Sequence, residues 1–191
     1  MAVTEPIRNK HQIRELANFY LQRGQIRNYC LIILGVHTAL RISDLLRLRW
    51  EDVYDFKYHR IRNSVAVTEQ KTGKTKIVTL NKKAVQALSL YATQVSVPRG
   101  FLMVNIRTKK AISRIQAYRI IRSAAEALHL QGRVSCHSLR KSFGYHAWKA
   151  GVSPAVIMEI FNHSSLAVTR RYLGVSQDDK DEVYLLLNFS S

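Results

Sequence analysis

Cysteine, proline and acid are all scarce in this chain of 191 residues, and each scarcity excludes something. The two cysteines, Cys30 and Cys136, lie far apart and form no Cys-x-x-Cys pair, which argues against a disulfide scaffold or a zinc finger and predicts reduced thiols. Three prolines, at 6, 98 and 154, leave no room for a proline-rich linker, and no repeat or low-complexity stretch is visible. No apolar run approaches the roughly 18 residues of a membrane helix. The start, Met1 to Arg8, lacks the apolar centre of a signal peptide, so a cytoplasmic location is expected. Acid is the most telling shortage. Thirteen Asp and Glu face 30 Lys and Arg, a formal charge of +17. Such an excess attracts a polyanion, most commonly nucleic acid, although an anionic membrane surface or an acidic protein would also be drawn. The apolar share of 47% is that of an ordinary globular domain with a core of its own.

Local patterns predict a mostly helical α+β chain with one small antiparallel three-stranded sheet. A helix over 9–23 is capped by Asn9 and stopped by Gly24, with Ile13, Leu16, Ala17 and Tyr20 on one face. A second over 25–39 buries Tyr29, Ile32, Ile33 and Val36. A third is expected from Ser43, as its cap, to about Trp50. Residues 54–58, 64–70 and 75–80 read as strands, the last two joined by a hairpin turn, Lys71-Thr72-Gly73-Lys74. Val65, Val67, Ile77 and Val78 suit that assignment. Helices resume over 82–95 after Asn81, 114–129 after Ser113, 137–149, from Ser153-Pro154, 165–173 and 179–188.

Four features could carry chemistry: Arg41-Ile-Ser-Asp44 at the junction of two apolar helices, Lys71 on the hairpin, His137-Ser-Leu-Arg140 opening a helix, and His163 followed nine residues later by Tyr172. Each alone has a solvated or packing explanation. As a set they can cut a phosphodiester without metal. Tyrosine is an oxygen nucleophile with a pKa near 10 that needs a base or nearby cations to ionise. Two guanidiniums fork onto the non-bridging oxygens with permanent charge and fixed geometry.

In order and spacing, residues from about 10 to 175 resemble the catalytic domain of the tyrosine recombinases, the phage-integrase family. That family has an arginine with a carboxylate three residues on, a hairpin lysine, His-x-x-Arg, then a histidine and a tyrosine nine residues later. Arg41, Asp44, Lys71, His137, Arg140, His163 and Tyr172 match it in order. The resemblance implies site-specific cutting and rejoining of double-stranded DNA through a 3′-phosphotyrosine at Tyr172. Lys71 would protonate the leaving 5′-oxygen. His137 would take the tyrosyl proton or bond the phosphate, His163 would donate to a phosphate oxygen, and Asp44 would anchor Arg41 or a histidine. The covalent bond conserves the energy of the broken one, so no cofactor is expected, and no metal. Related chemistry without exchange, as in type IB topoisomerases, and a DNA-binding regulator keeping only the fold are the alternatives.

The sequence departs from the family pattern in three places. Asp44 stands where Glu is common, Asn162 where Gly often precedes the second histidine, and Lys141 where a histidine often follows Arg140. His146 is expected to pack or to lie on the surface rather than to bind metal or act in catalysis, since no complete set of metal ligands accompanies it. A single catalytic domain is expected over 1–191: a tail at 1–8, a core at 9–175 and a C-terminal segment at 176–191. With so few residues before the first helix, no separate N-terminal core-binding domain is expected, as in the short fimbrial-switch recombinases. Arg47, Arg49, Lys74, Lys76, Arg107, Lys109, Lys110, Arg114, Arg119 and Arg122 are candidate DNA-backbone contacts. Asp178 to Phe189 has a charged start and an apolar end. It is expected to dock either on its own domain or, as in the resembled family, on a neighbouring subunit. The implied partners are DNA, further copies of the chain (a tetramer on DNA, a monomer when free) and accessory DNA-bending proteins.

Overall fold

The computed structural model describes residues 4–186. The first helix follows its cap. Asn9 Oδ1 accepts from the His11 N–H and starts α1 (Lys10–Leu21), and α2 (Ile26–His37) follows. α1 turns Ile13, Leu16, Ala17 and Tyr20 inward, while α2 is buried over most of its length and packs against α1, α5 (Lys82–Val95) and α7 (Cys136–Lys149). Asn81 caps α5, and a Ser113–Gln116 capping box starts α6 (Arg114–Ala127). The main core gathers Leu16, Leu31, Ile32, Leu34, Trp50, Leu88 and Ile121.

The expected helix from Ser43 to Trp50 is two short pieces, α3 (Ile42–Leu45) and α4 (Trp50–Val53). Ser43 caps neither; its hydroxyl faces its neighbour Asp44. The break has a non-local cause: the Leu102 N–H donates to Leu48 O and the Trp50 N–H to Gly100 O, pulling the intervening chain into an extended path beside Phe101.

The three-stranded sheet is also corrected. β1 (Tyr54–Asp55) pairs with β2 (Arg60–Ile61), and β3 (Ser64–Thr68) pairs separately with β4 (Thr75–Thr79). Asp55 Oδ1 accepts from the N–H groups of Lys57 and Tyr58, curling the chain where a strand over 54–58 would have continued. In the second ladder Val65 opposes Val78 and Val67 opposes Lys76. Val65 and Val67 face inward, and Ile77 faces out.

A second, smaller core of Ala39, Ile157, Phe161 and Leu173 joins α7, α8 (Pro154–Phe161) and α9 (Leu166–Leu173). Gly144 makes this crossing possible, because a Cβ there would lie 2.8 Å from the Phe161 ring. The segment expected as a tail is packed along α7. Lys141 Nζ donates to Thr4 O (2.6 Å), the Ile7 N–H donates to Ser142 Oγ (2.8 Å), and a His146 ring nitrogen lies 3.0 Å from Ile7 O. Arg8 continues to Gly174 O and Asp179. The last helix, α10 (Gln177–Leu186), leaves Val183, Tyr184, Leu185 and Leu186 exposed by 53, 78, 85 and 73%. Leu187 to Phe189 lie outside the described residues. Among the described residues no helix is long and apolar enough to cross a membrane, and no group of three or more His, Cys, Asp or Glu is arranged to hold a metal.

Candidate active site

Helix ends and one tight corner deliver the candidate side chains. Arg41 occupies the N-cap position of α3, just after Ala39, which has a φ of 56°. A Ser135–Ser138 capping box starts α7 and sets His137 and Arg140 about one turn apart. α8 ends at Asn162 in the left-handed conformation, turning the chain so that His163 points back to the cluster. Ser165 then caps α9, which carries Tyr172 in its last turn.

These parts converge. Arg140, 1% exposed, donates from Nη2 to Phe161 O (2.6 Å) and from Nη1 to Ala39 O, with its guanidinium 4.5 Å above the Phe161 ring. Its Nε–H is buried with no partner among the described residues. Burial, and then the Arg41 charge, brings Arg140 down to about 10, so it stays cationic at neutral pH. Arg41 Nη2 reaches the same Phe161 carbonyl at 3.4 Å. The Tyr172 hydroxyl lies 2.6 Å from His137 Nε2, and the Tyr172 and His163 rings meet edge to face at 4.5 Å. His163 Nδ1 is 3.1 Å from Thr169 Oγ1. Burial and the charges of Arg140, Arg41 and Lys71 pull His163 down to about 4. Burial and the cations around His137 lower it too. Both imidazoles are therefore neutral at pH 7, and a neutral His137 Nε2 can accept the tyrosyl proton.

Sequence reasoning missed the residue that holds Arg41. Glu69, 1% exposed, places Oε2 2.7 Å from Arg41 Nη1 and Oε1 3.0 Å from Lys76 Nζ. Asn162 Nδ2 (2.8 Å) and Thr72 Oγ1 (3.0 Å) donate to Oε2. Burial alone would raise this carboxyl, but the Asn162 amide and the Arg41 and Lys76 cations beside it hold it down at about 2. The signal was present: Glu69 continues the inward alternation of Val65 and Val67, an acid at a core-facing position of a chain with little acid. Asp44 reaches neither Arg41 nor a histidine. Its Oδ1 accepts from the Gln70 N–H (3.0 Å), bracing the hairpin from below.

Lys71 sits exposed on the hairpin, close enough for its charge to act on His163. Lys76 turns inward instead, to Glu69 and Ile160 O, unlike the surface cations with which its sequence position grouped it. Arg47, Arg49, Lys74, Arg107, Lys109, Lys110, Arg114 and Arg119 are exposed, and Arg122 pairs with Glu126. An open groove lined by Ile42, Arg114, Tyr118, Arg133 and His137 leads from the start of α6 to the cluster.

The phage integrase family model matches residues 8–178. The chain belongs to the phage integrase family. Among its relatives is a probable integrase/recombinase, YoeC of Bacillus subtilis (strain 168), 36% identical over 184 residues that cover 96% of this chain and 97% of YoeC. The tyrosine recombinase XerD of Mycobacterium leprae (strain TN) is 29% identical over 83% of this chain, and the match spans only 51% of XerD. The crystal structure of XerA recombinase superposes with a TM-score of 0.78 at 22% identity, covering 95% of this chain and 63% of that one. XerH recombinase, bound to its difH substrate after cleavage, gives 0.77 at 18% identity, covering 93% of this chain and 51% of that one. These two likenesses establish the fold of this integrase-family chain.

Proposed function

We propose that this chain is the catalytic unit of a site-specific tyrosine recombinase that cuts and rejoins duplex DNA through a 3′-phosphotyrosine at Tyr172. The observation that carries the reading is the nucleophile–base contact, Tyr172 to His137 Nε2 at 2.6 Å, set beside two converging guanidiniums. Tyr172 Oη attacks the scissile phosphorus as its proton passes to His137 Nε2. Arg41 and Arg140, the latter with an unpartnered buried Nε–H, stabilise the charge gathering on the non-bridging oxygens. His163 lies beside the same phosphate. The 5′-oxygen departs with a proton from Lys71, an assignment that rests on the resemblance and on the place of Lys71 at the rim. A 5′-hydroxyl of a partner strand then attacks the phosphotyrosine, giving its proton to the now neutral Lys71 amine, while protonated His137 returns a proton to the departing Tyr172 oxygen.

The exposed cations Arg47, Lys74, Lys109, Lys110, Arg114 and Arg119 are assigned to the DNA backbone. The exposed apolar end of α10 supports docking on a neighbouring copy rather than on its own domain, and so a ring of subunits on DNA. The work would be done in the cytoplasm.

A nicked suicide duplex carrying a cognate site tests the reading. A denaturant-resistant protein–DNA adduct that disappears in Tyr172→Phe is expected. Absence of an adduct on any cognate DNA would leave a DNA-binding regulator, and relaxation without exchanged products would leave a topoisomerase.

A further inference from the structure

Glu69 is the one carboxylate touching the cationic cluster among the described contacts, and it touches it on three sides. It meets Arg41 from α3, Lys76 from β4, and Asn162 at the α8–α9 corner directly before His163. Thr72, bonded to both Glu69 and Asn162, ties in the tip of the hairpin that carries Lys71. Neither ion contact is a well-aligned hydrogen bond. Arg41 Nη1 and Glu69 Oε1 are buried without a partner by bond geometry, although charges lie 2.7 and 3.0 Å away. Charge, rather than directional bonding, joins Glu69 to Arg41 and Lys76, and an anion of better geometry can take over that face of Arg41.

We propose that Glu69 is a positioning residue that serves as the internal counter-anion of the phosphate pocket. It holds Arg41 and Lys76 in place before DNA arrives and is displaced from Arg41 when a substrate phosphate enters. The inference rests on the reading of this cluster as the phosphodiester site. By reciprocity, an anion that competes for Arg41 must loosen Glu69, and loss of the Glu69 charge must strengthen the anion. Catalysis responds the other way. Without its brace Arg41 is no longer aligned, and the hairpin is no longer tied to the His163 corner.

The probe is sulfate, a tetrahedral dianion at neutral pH, read by the arginine and histidine resonances of the whole chain, with adduct formation on the suicide duplex measured in parallel. Glu69→Gln keeps the shape and removes the charge. It should bind sulfate on the order of tenfold more tightly and form the adduct on the order of tenfold more slowly. Glu69→Asp keeps the charge and loses reach, so it should slow the adduct without tightening sulfate. A purely structural role would weaken both functions together. Should Glu69→Gln fail to fold, the unmodified protein still decides: with carboxyl labelling, the Glu69 Cδ resonance should shift with Arg41 as sulfate saturates the site. An Arg41 response without a Glu69 response, or a folded Glu69→Gln that binds sulfate no tighter than wild type, overturns the proposal. Both results leave the recombinase reading standing if the wild type forms its Tyr172 adduct. A wild type that forms none removes both.

Discussion

Replacing Arg140 by lysine keeps the charge and removes the fork, which makes it a sensitive probe of the site. The guanidinium spans two backbone carbonyls, Ala39 O and Phe161 O, from a fully buried position over the Phe161 ring. A lysine ammonium can reach one of those acceptors but not both, and it abandons the planar stack. An unsatisfied buried carbonyl costs about 1–3 kcal/mol, and the lost cation–π contact adds roughly 1 kcal/mol. Stability should therefore fall by about 2–4 kcal/mol, which for a chain of this size lowers Tm by on the order of 4–16 °C. The catalytic loss is separate. Removal of one preorganised charge-stabilising donor costs about 10²–10³ in rate, or roughly 3–4 kcal/mol. Differential scanning calorimetry gives the first quantity. Single-turnover adduct formation, run well below the variant's Tm, gives the second. A variant with unchanged Tm would show that the two carbonyl contacts contribute nothing. A rate within threefold of wild type would show that Arg140 does not meet the developing charge.

Glu69, depressed to about 2 in the fold against an ordinary 4.5, binds fewer protons folded than unfolded between those values. Its contribution is present above about pH 4.5 and lost as pH falls towards 2, at most about 3 kcal/mol. Denaturant titrations of wild type and Glu69→Gln should converge at acid pH, and parallel curves would contradict this. His163, held neutral down to about 4, should show no ring titration between pH 5 and 8 in NMR spectra, and a midpoint near 6.5 would place it in solvent. Gly144→Ala puts a methyl 2.8 Å from the Phe161 ring. It should cost about 1–3 kcal/mol by calorimetry and slow the adduct by displacing Phe161 O from Arg140, whereas a neutral substitution would mean that the crossing is loosely packed.

The parts of the fold legible in sequence are those whose cause is local. Asn9, Asn81, Ser113 and Ser153-Pro154 each start the helix they mark, because a cap binds N–H groups within three residues. The break between Ser43 and Trp50 leaves no local trace, because the pairing that makes it comes from Gly100 to Leu102, far along the chain. The candidate set showed in sequence as order and spacing; in the fold Arg41, Arg140, His163 and Tyr172 contact Phe161, and His137 meets Tyr172. Glu69 was not legible in that way, because its inward position shows in the alternation of β3 while its partners, Arg41 and Asn162, come from elsewhere in the chain. The partner of Asp44 is equally distant in sequence: its short carboxylate meets the Gln70 backbone rather than a guanidinium. Lys141, which breaks the family pattern, is explained by the Thr4 carbonyl it holds.

The central claim is that the Tyr172 hydroxyl, poised on His137, becomes the bond to DNA. Protease digestion of the trapped adduct, followed by mass spectrometry of the nucleotide-bearing peptide, tests it most directly. A single modified peptide with the 3′-phosphate on Tyr172 is expected. Attachment at any other residue, or an adduct that persists in Tyr172→Phe, contradicts it.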